Sequence, residues 1–284
     1  MRWNPGRRSD NLEDRRASTG GRMRAGAGMG LGGIAIIAVI GLLMGQNPLV
    51  ILSQILGSGG SEVVSGPPPS EEELAREEPQ VQFVSAVLDS AQATWHRRLP
   101  SGGASYTDAR LVLFRDAIES ACGMGQAAMG PFYCPGDQKV YIDLGFYDDL
   151  KQRFGAPGDF AQAYVIAHEI GHHVQNLLGI ERQVREAQQR NPGQQNALSV
   201  ALELQADCLA GIWAHDAQRG GYLESGDAEE ALNAAASIGD DRIQKSAGAR
   251  VSPESFTHGS SEQRVSWFRR GLQGGDINQC DTFK

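Results

Sequence analysis

Two histidines four residues apart, with a glutamate directly after the first, occur in the stretch YVIAHEIGHHVQNLLGI at residues 164–180. Residues four apart in a helix differ by about 40° around its axis, so His168 and His172 project side by side. Paired imidazoles can bind one Zn²⁺, and Glu169, one position further, can reach a water on the metal. The spacing predicts a zinc-binding catalytic helix with Glu169 as its base. Two surface histidines on an ordinary helix are the alternative.

A catalytic zinc needs a third protein ligand and an open fourth position. The stretch SVALELQADCLAGIWAHD at residues 199–216 places Glu203 and Asp207 four apart in an otherwise apolar helix. Carboxylates that face a core are costly unless a metal or a cation compensates them. We therefore expect Glu203 to be the third ligand and Asp207 to accept the free ring N–H of a ligand histidine. A solvated carboxylate pair is the alternative.

The remaining residues of the predicted metal-binding helix fit a helix packed on a core. Gly171 costs about 1 kcal/mol in helix propensity, which is easier to understand if another group approaches closely there. His173 lies about 140° from His168 around the helix and is not expected to be a ligand. The apolar residues recur at three- and four-residue steps and can face the core: Ala163, Ala167, Ile170, Val174 and Leu177.

Hydrophobic periodicity predicts a mostly helical α+β domain with a small sheet ahead of its main helices. The β-branched and aromatic segments at residues 109–116 and 139–150 are the strand candidates. Helices are expected over five segments, with RNPGQQN separating the second from the third: 81–99, 159–189, 196–219, 227–246 and 261–272.

The first eighty residues differ from the rest. Residues 1–24 hold seven arginines against three acidic residues, and no further charge occurs before Glu62. Residues 25–56 are densely apolar and predict a single transmembrane anchor, with residues 1–24 in the cytoplasm. Residues 57–80, rich in Gly, Ser, Pro and Glu, predict a flexible linker to a domain at 81–284 on the far side of a bacterial cell membrane, periplasmic or extracellular. A cleaved signal peptide is the alternative to the anchor.

Cysteine usage agrees with export. Cys122, Cys134, Cys208 and Cys280 all follow the apolar segment, and in an oxidising compartment they would form disulfides. Four cysteines allow three pairings, and the sequence alone does not choose. The pairing of Cys122 with Cys134 and of Cys208 with Cys280 is the simplest.

Net charge argues against a nucleic-acid partner. The chain carries −8 overall, and because residues 1–24 contribute +4, the remainder carries −12. An acidic domain does not offer the basic surface that phosphate binding needs. The expected partners are a peptide or protein substrate and, through the apolar segment, a membrane.

The pattern His168-Glu169-x-x-His172 followed by Glu203-x-x-x-Asp207 resembles the gluzincin metallopeptidases. The wider set of segments, YIDLGFYDDL, AHEIGHHVQNLLGI, ELQADCLAGIWAH and THGSSEQRVSWF, is similar to the bacterial neutral zinc metallopeptidase family over most of residues 80–284. The resemblance implies a zincin-like fold, bound Zn²⁺ and peptide hydrolysis. Thirty residues lie between His172 and Glu203, more than in the thermolysin-like branch.

The segment FTHGSSEQR at residues 256–264 also resembles a histidine-containing segment of membrane-embedded gluzincins. By that likeness, His258 would donate a hydrogen bond to the oxyanion of a tetrahedral intermediate. A cap or a surface histidine is the alternative. Arg264 is expected to form a structural salt bridge, and a contact with substrate is the alternative.

The sequence thus predicts a membrane-anchored zinc metallopeptidase in which Glu169 takes a proton from a zinc-activated water. Residues 139–144 are expected to form the sheet edge along which an extended peptide aligns. Two rivals remain: an exported interaction domain that keeps zinc for stability, and an anchored binding protein without metal.

Overall fold

The computed structural model describes residues 1–18, 69–99, 105–127 and 130–284. Within these residues the fold is a mostly helical α+β domain with a small sheet, as predicted. The transmembrane segment expected at residues 25–56 lies outside them. One described helical stretch, Pro192–Arg219, is long and apolar enough to span a membrane, but 61% of its apolar part is buried inside the fold, as in a core helix.

The main sheet has four strands in the order β1-β2-β6-β5, where β1 is Leu12–Asp14, β2 is Arg110–Phe114, β5 is Phe132–Cys134 and β6 is Lys139–Asp143. The pairs β1–β2 and β2–β6 are parallel, whereas β5 and β6 are antiparallel. A separate hairpin joins β3, Ala117–Ser120, to β4, Gly123–Gln126. The two predicted strand segments correspond to β2 and β6, and the second of them is a strand only as far as Asp143.

The expected domain boundaries are wrong at the N-terminal side. The segment 1–24 was expected to lie apart from the domain, yet β1 is a strand of its sheet. The linker expected at 57–80 cannot extend to residue 80, because helix α1 covers Glu71–Arg98. Ser70 caps this helix: its hydroxyl accepts from the amide of Glu73, whose carboxylate accepts from the amide of Ser70. The capping box lies within the polar stretch that we read as linker.

Seven further helices follow the sheet strands. The helices predicted as single units at 159–189 and 227–246 are each divided at a glycine. Gly179, between the helices Asp159–Leu177 and Ile180–Arg190, has a φ of 73°, in the left-handed region that favours glycine. The helices are α2 Gly145–Gln152, α3 Asp159–Leu177, α4 Ile180–Arg190, α5 Gln195–Arg219, α6 Asp227–Ser237, α7 Asp240–Ser246 and α8 Ser261–Gly274.

Close packing holds α5 between α3 and α8. A Cβ atom at Gly171 of α3 would lie 3.0 Å from the carbonyl oxygen of Ala206 in α5. At Gly271 of α8, it would lie 2.0 Å from the carbonyl oxygen of Cys208. Backbones can approach this closely only where a side chain is missing. The close approach inferred at Gly171 is therefore to the neighbouring helix.

Two disulfides support this arrangement, and they have the simplest of the three pairings. Cys122–Cys134 joins the end of the hairpin to β5, while Cys208–Cys280 fixes the C-terminal segment to α5. Among the described residues no cysteine is free. The second bond closes a loop that contains α6, α7 and α8, and so restrains the helices around the predicted site.

Candidate metal centre

The three predicted zinc ligands lie together where α3 meets α5. His168 Nε2 is 3.2 Å from Glu203 Oε2, and His172 Nε2 is 3.5 Å from Glu203 Oε1. One donor atom from each residue falls within 4.8 Å of the others. The imidazole rings stand nearly perpendicular, with their centroids 4.8 Å apart. Both Nε2 atoms thus face one carboxylate across a space suited to a cation.

Charge at this cluster follows from the same geometry. Burial by itself raises the pKa of Glu203, but the two imidazoles outweigh burial and hold that pKa well below its usual value. Conversely, Glu203 overcomes the effect of burial on His172 and raises its pKa to about 10. Without a metal, protons on the imidazoles balance the carboxylate. A divalent cation would replace those protons, which is the usual exchange at His and carboxylate ligands.

Asp207 fixes the orientation of His168. Its Oδ1 lies 2.9 Å from His168 Nδ1, the ring nitrogen that points away from Glu203. Tyr164 donates to the same oxygen at 2.5 Å, and Arg264 of α8 holds both carboxylate oxygens. A carboxylate here accepts the Nδ1–H and leaves Nε2 unprotonated for a metal. Asp207 thus makes the contact with His168 that we expected of it. The ion pair between Arg264 and Asp207 is the structural salt bridge expected of Arg264.

His172 is oriented by an amide instead. Its Nδ1 lies 2.8 Å from Gln175 Oε1. The Nε2 of Gln175 donates to the carbonyl of Leu202 at 2.7 Å and to Gln205 Oε1 at 3.0 Å. Because both of those atoms are acceptors, the amide oxygen must face the histidine. His172 therefore donates from Nδ1, and Nε2, which faces Glu203, is the nitrogen that a metal would take.

Glu169 is almost fully buried beside the cluster, with 7% of its surface exposed. Burial raises the pKa of its carboxyl group, and the neighbouring charge of Glu203 also raises it, while the two histidines act in the opposite direction. A buried carboxylate with a raised pKa holds a proton more readily than one in water. That property suits a group that must accept a proton and release it again.

His258 lies in the loop before α8, and the negative charge of Glu203 raises the pKa of its imidazole. Asp240 Oδ2 accepts from the backbone amides of Thr257, His258 and Gly259, and so fixes the shape of this loop. Asp240 Oδ1 lies 3.3 Å from His258 Nδ1. The opposite ring nitrogen, Nε2, is therefore the one that remains to donate to a ligand.

Two other sequence expectations have clear outcomes. The substrate edge expected at residues 139–144 is wrong, because β6 pairs with β2 on one side and with β5 on the other. His173, predicted not to be a ligand, is buried and points to the sheet. Its Nδ1 lies 2.9 Å from the Tyr133 hydroxyl, and its Nε2 lies 2.7 Å from the Thr107 carbonyl.

Sequence reasoning missed the residues that support the ligands from the same helix. Tyr164 precedes His168 by four positions, and Gln175 follows His172 by three. Both spacings put a side chain next to the histidine it supports. Helical spacing was thus a signal for both residues, but their chemistry did not distinguish them from an ordinary buried tyrosine and glutamine.

Similarity to known proteins agrees with this geometry. The family model described as "Putative neutral zinc metallopeptidase" matches residues 1–283. The chain belongs to this family. The match includes the N-terminal segment together with the metal centre. No solved structure matches the chain.

Similar proteins occur in Escherichia and in Mycobacterium. The protein YpfJ of Escherichia coli K12 is 48% identical over 293 residues, which cover 100% of this chain and 99% of the relative. Rv2575 of Mycobacterium tuberculosis H37Rv is 43% identical over 211 residues, or 70% of this chain and 69% of the relative. Both relatives are named as uncharacterized proteins, so the zinc and the peptidase activity come from the family alone.

The residues of this chain fit the zinc that the family implies. Two imidazole nitrogens and one carboxylate oxygen form the three-ligand set of a catalytic zinc, whereas structural sites have four protein ligands. Each histidine also has an acceptor at its other nitrogen, as metal-ligating histidines usually do. One other described group could hold a metal by its spacing, Asp159 with Asp227 and Glu230, and it consists only of carboxylates.

Proposed function

We propose that this protein is a zinc-dependent peptidase with a zincin-like domain, in which His168, His172 and Glu203 hold the metal. The observation that carries the proposal is the convergence of two Nε2 atoms and one carboxylate beside the buried Glu169. Membership of a zinc metallopeptidase family supports it.

The proposed reaction is hydrolysis of a peptide bond. Bound zinc would supply a Lewis acid that polarises the scissile carbonyl and acidifies a water. Glu169 would take a proton from the attacking water and pass it to the leaving amine, a transfer for which its raised pKa is suited. His258, positioned by Asp240, donates from Nε2 to the oxygen that becomes negative in the tetrahedral intermediate.

An extended substrate would align along β5, which we propose in place of β6. Within the described residues β5 pairs only with β6 and so forms one edge of the main sheet, while β1 forms the other. It is also connected to the metal-binding helix, because Tyr133 of β5 contacts His173 and Asn176 of α3. A strand added at this edge would pass next to α3, so its backbone hydrogen bonds could present a peptide bond to the zinc.

Attachment to a membrane through residues 25–56 is part of the proposal and rests on composition. The two disulfides support an oxidising compartment for the domain. Residues 1–18 belong to the same fold as the metal centre, so experiments on this protein need the full chain, purified in detergent.

The test combines metal analysis with proteolysis of unfolded casein. The native protein is expected to contain one zinc per chain and to cleave casein in a chelator-sensitive manner. Glu169→Gln should retain zinc and lose activity by a factor of about 10² to 10⁴, the range for removal of a general acid–base group. Glu229→Gln is a matched control, because Glu229 lies exposed on α6 and should leave both properties unchanged.

Each rival function gives a different result. Full zinc occupancy with no cleavage of any unfolded substrate would identify a zinc-stabilised interaction domain. A purified chain without zinc would identify a binding protein that needs no metal. A metal-loaded Glu169→Gln protein that still cleaves casein would refute the role of Glu169.

A further inference from the structure

The amide that supports His172 is one link in a chain of hydrogen bonds. Gln175 is fully buried and donates to Gln205 Oε1 on the neighbouring helix α5. Gln205 in turn donates from Nε2 to the carbonyl oxygen of Cys280 at 2.9 Å. Cys280 is the C-terminal partner of the disulfide to Cys208. A continuous path therefore connects this disulfide to one of the two histidine ligands.

The two histidines differ in their support. The carboxylate behind His168 is held by Arg264 and Tyr164 from two other sites in the fold. The amide behind His172 carries no charge, and its orientation depends on the acceptors that face its Nε2, Leu202 and Gln205. If these acceptors moved, the amide could rotate and present its NH₂ group to His172 Nδ1. Two donors would then oppose each other, and the favoured tautomer of the imidazole would change.

We propose that Gln175 is a positioning residue for the metal centre and that Gln205 and the Cys208–Cys280 disulfide keep it in the required orientation. The proposal rests on the zinc site of the proposed function and adds its dependence on the C-terminal disulfide. By fixing the Nδ1–H tautomer of His172, Gln175 keeps Nε2 available to the metal. Zinc affinity is then linked to a disulfide whose cysteines are not among the three ligands.

Zinc affinity, measured by competition with a fluorescent chelator, tests this proposal independently of peptidase activity. Gln175→Leu should weaken zinc binding by a factor of about 10 to 100, the usual effect of losing such a partner. Gln175→Glu retains an acceptor for His172 Nδ1–H but loses the donor to Leu202 and Gln205, so it should bind zinc more tightly than Gln175→Leu and less tightly than the native protein. Gln205→Leu removes only one of the two acceptors that orient the Gln175 amide, so zinc binding should weaken by only about tenfold.

The disulfides provide a matched pair of variants. Replacing both Cys208 and Cys280 by alanine should weaken zinc binding, whereas replacing both Cys122 and Cys134 should not. Thermal unfolding of the metal-free proteins shows which variants are folded. If Gln175→Leu does not fold, Gln175→Glu and Gln205→Leu still decide the question.

Failure of this proposal differs from failure of the proposed function. If the native protein binds no zinc, the metal centre and with it the proposed function are refuted. A native protein that binds zinc normally, with unchanged affinity in folded Gln175→Leu or Gln205→Leu, would overturn the role of the amide. Equal effects of the two cysteine pairs would overturn the link to the C-terminal disulfide.

A second inference comes from the N-terminal segment. Strand β1 pairs with β2 within the sheet, and backbone bonds on either side extend this pairing from Asn11 to Arg15. Arg16 is 2% exposed and forms ion pairs with Asp14 and with Glu77 of α1. Ser9 donates to Asp89 of α1 at 2.5 Å. A strand with these contacts is an integral part of the domain.

We infer that residues 1–18 and 69–284 lie in the same compartment. Paired strands lie about 4.8 Å apart, whereas the hydrocarbon core of a bilayer is about 30 Å thick, so one sheet cannot have strands on opposite faces of a membrane. The positive-inside arrangement expected from the sequence, with residues 1–24 and the domain on opposite sides, does not fit a fold that contains β1.

Labelling of single cysteines with a membrane-impermeant maleimide tests this topology in intact cells. Asn4→Cys in the N-terminal segment and Ser266→Cys on α8 are both at exposed positions, and the native cysteines within the described residues are all in disulfides. Both variants should label before lysis or both only after it. Labelling of one before lysis and of the other only after it would overturn the inference.

Discussion

Arg264 and Asp207 form a two-point ion pair directly behind His168. The guanidinium donates to Oδ2 at 2.8 Å and to Oδ1 at 3.0 Å, and both side chains are buried. Burial by itself raises the pKa of Asp207, but Arg264 and His168 overcome it and lower this pKa to about 2. The carboxylate is therefore ionised at any physiological pH, and it can only accept the Nδ1–H of His168.

Asp207→Asn should affect both stability and metal binding. It leaves the buried Arg264 without its counter-charge, and breaking a buried pair in this way costs about 3–5 kcal/mol of unfolding free energy. Zinc affinity should also fall by a factor of about 10 to 100. Urea denaturation and zinc competition measure the two effects. Asp216→Asn is the control on the same helix, because Asp216 pairs with Arg98 and has no contact with the ligands. Equal zinc affinities in the two variants would contradict the role of Asp207.

The approach of α3 to α5 at Gly171 can be tested by adding one methyl group. Gly171→Ala would place its Cβ 3.0 Å from the Ala206 carbonyl oxygen and 3.2 Å from its Cα. Overpacking of this kind typically costs about 1–3 kcal/mol, and any outward shift of α5 moves Glu203 away from the histidines. We expect a lower melting temperature and weaker zinc binding. Gly193→Ala should change neither, since a Cβ at that position meets nothing within 4 Å.

The sequence predicted the parts of the site that depend on local spacing. The separation of His168 and His172, and that of Glu203 and Asp207, follow from helical periodicity, which needs no knowledge of the fold. The position of β5 did not follow, because a three-residue strand with a nearby disulfide shows no alternation. Without β5, the sequence predicts that β6 is an edge strand, although Tyr141 pairs with Phe132 of β5 on one side and with Val112 of β2 on the other.

The N-terminal strand was missed for a different reason. Leu12–Asp14 contains one apolar residue in three, so its pattern does not indicate a strand. It is held by long-range contacts instead, such as the pair between Arg16 and Glu77. The clustered arginines are typical of the cytoplasmic flank of a membrane span, whereas Arg16 forms ion pairs inside the fold. A sequence pattern cannot distinguish these two uses of a basic residue.

The Asp240–His258 contact predicts a shifted histidine titration. Partial burial and the charge of Arg264 lower the pKa of His258, but the hydrogen bond to Asp240 and the negative charge of Glu203 outweigh them and raise it above its usual value. The ion pair of His258 with Asp240 stabilises the folded state below about pH 6.5. This contribution to the free energy of unfolding is lost as pH rises through the pKa of His258 in the folded state. NMR titration of the metal-free protein should show a lower His258 pKa in Asp240→Asn. The same pKa in both proteins would rule out this contact.

Removal of zinc should weaken the fold without abolishing it. Trp213 and Trp95 are fully buried in a hydrophobic core that contains none of the three ligands, and the two disulfides remain when the metal is removed. A ligand that binds only the folded state at 100 times its dissociation constant stabilises it by about 2.7 kcal/mol. Chelation should therefore lower the melting temperature while the far-ultraviolet circular dichroism of the helices is retained at 25 °C. If chelation instead unfolds the chain, the zinc is structural, and the non-catalytic interaction domain becomes the better description of this protein.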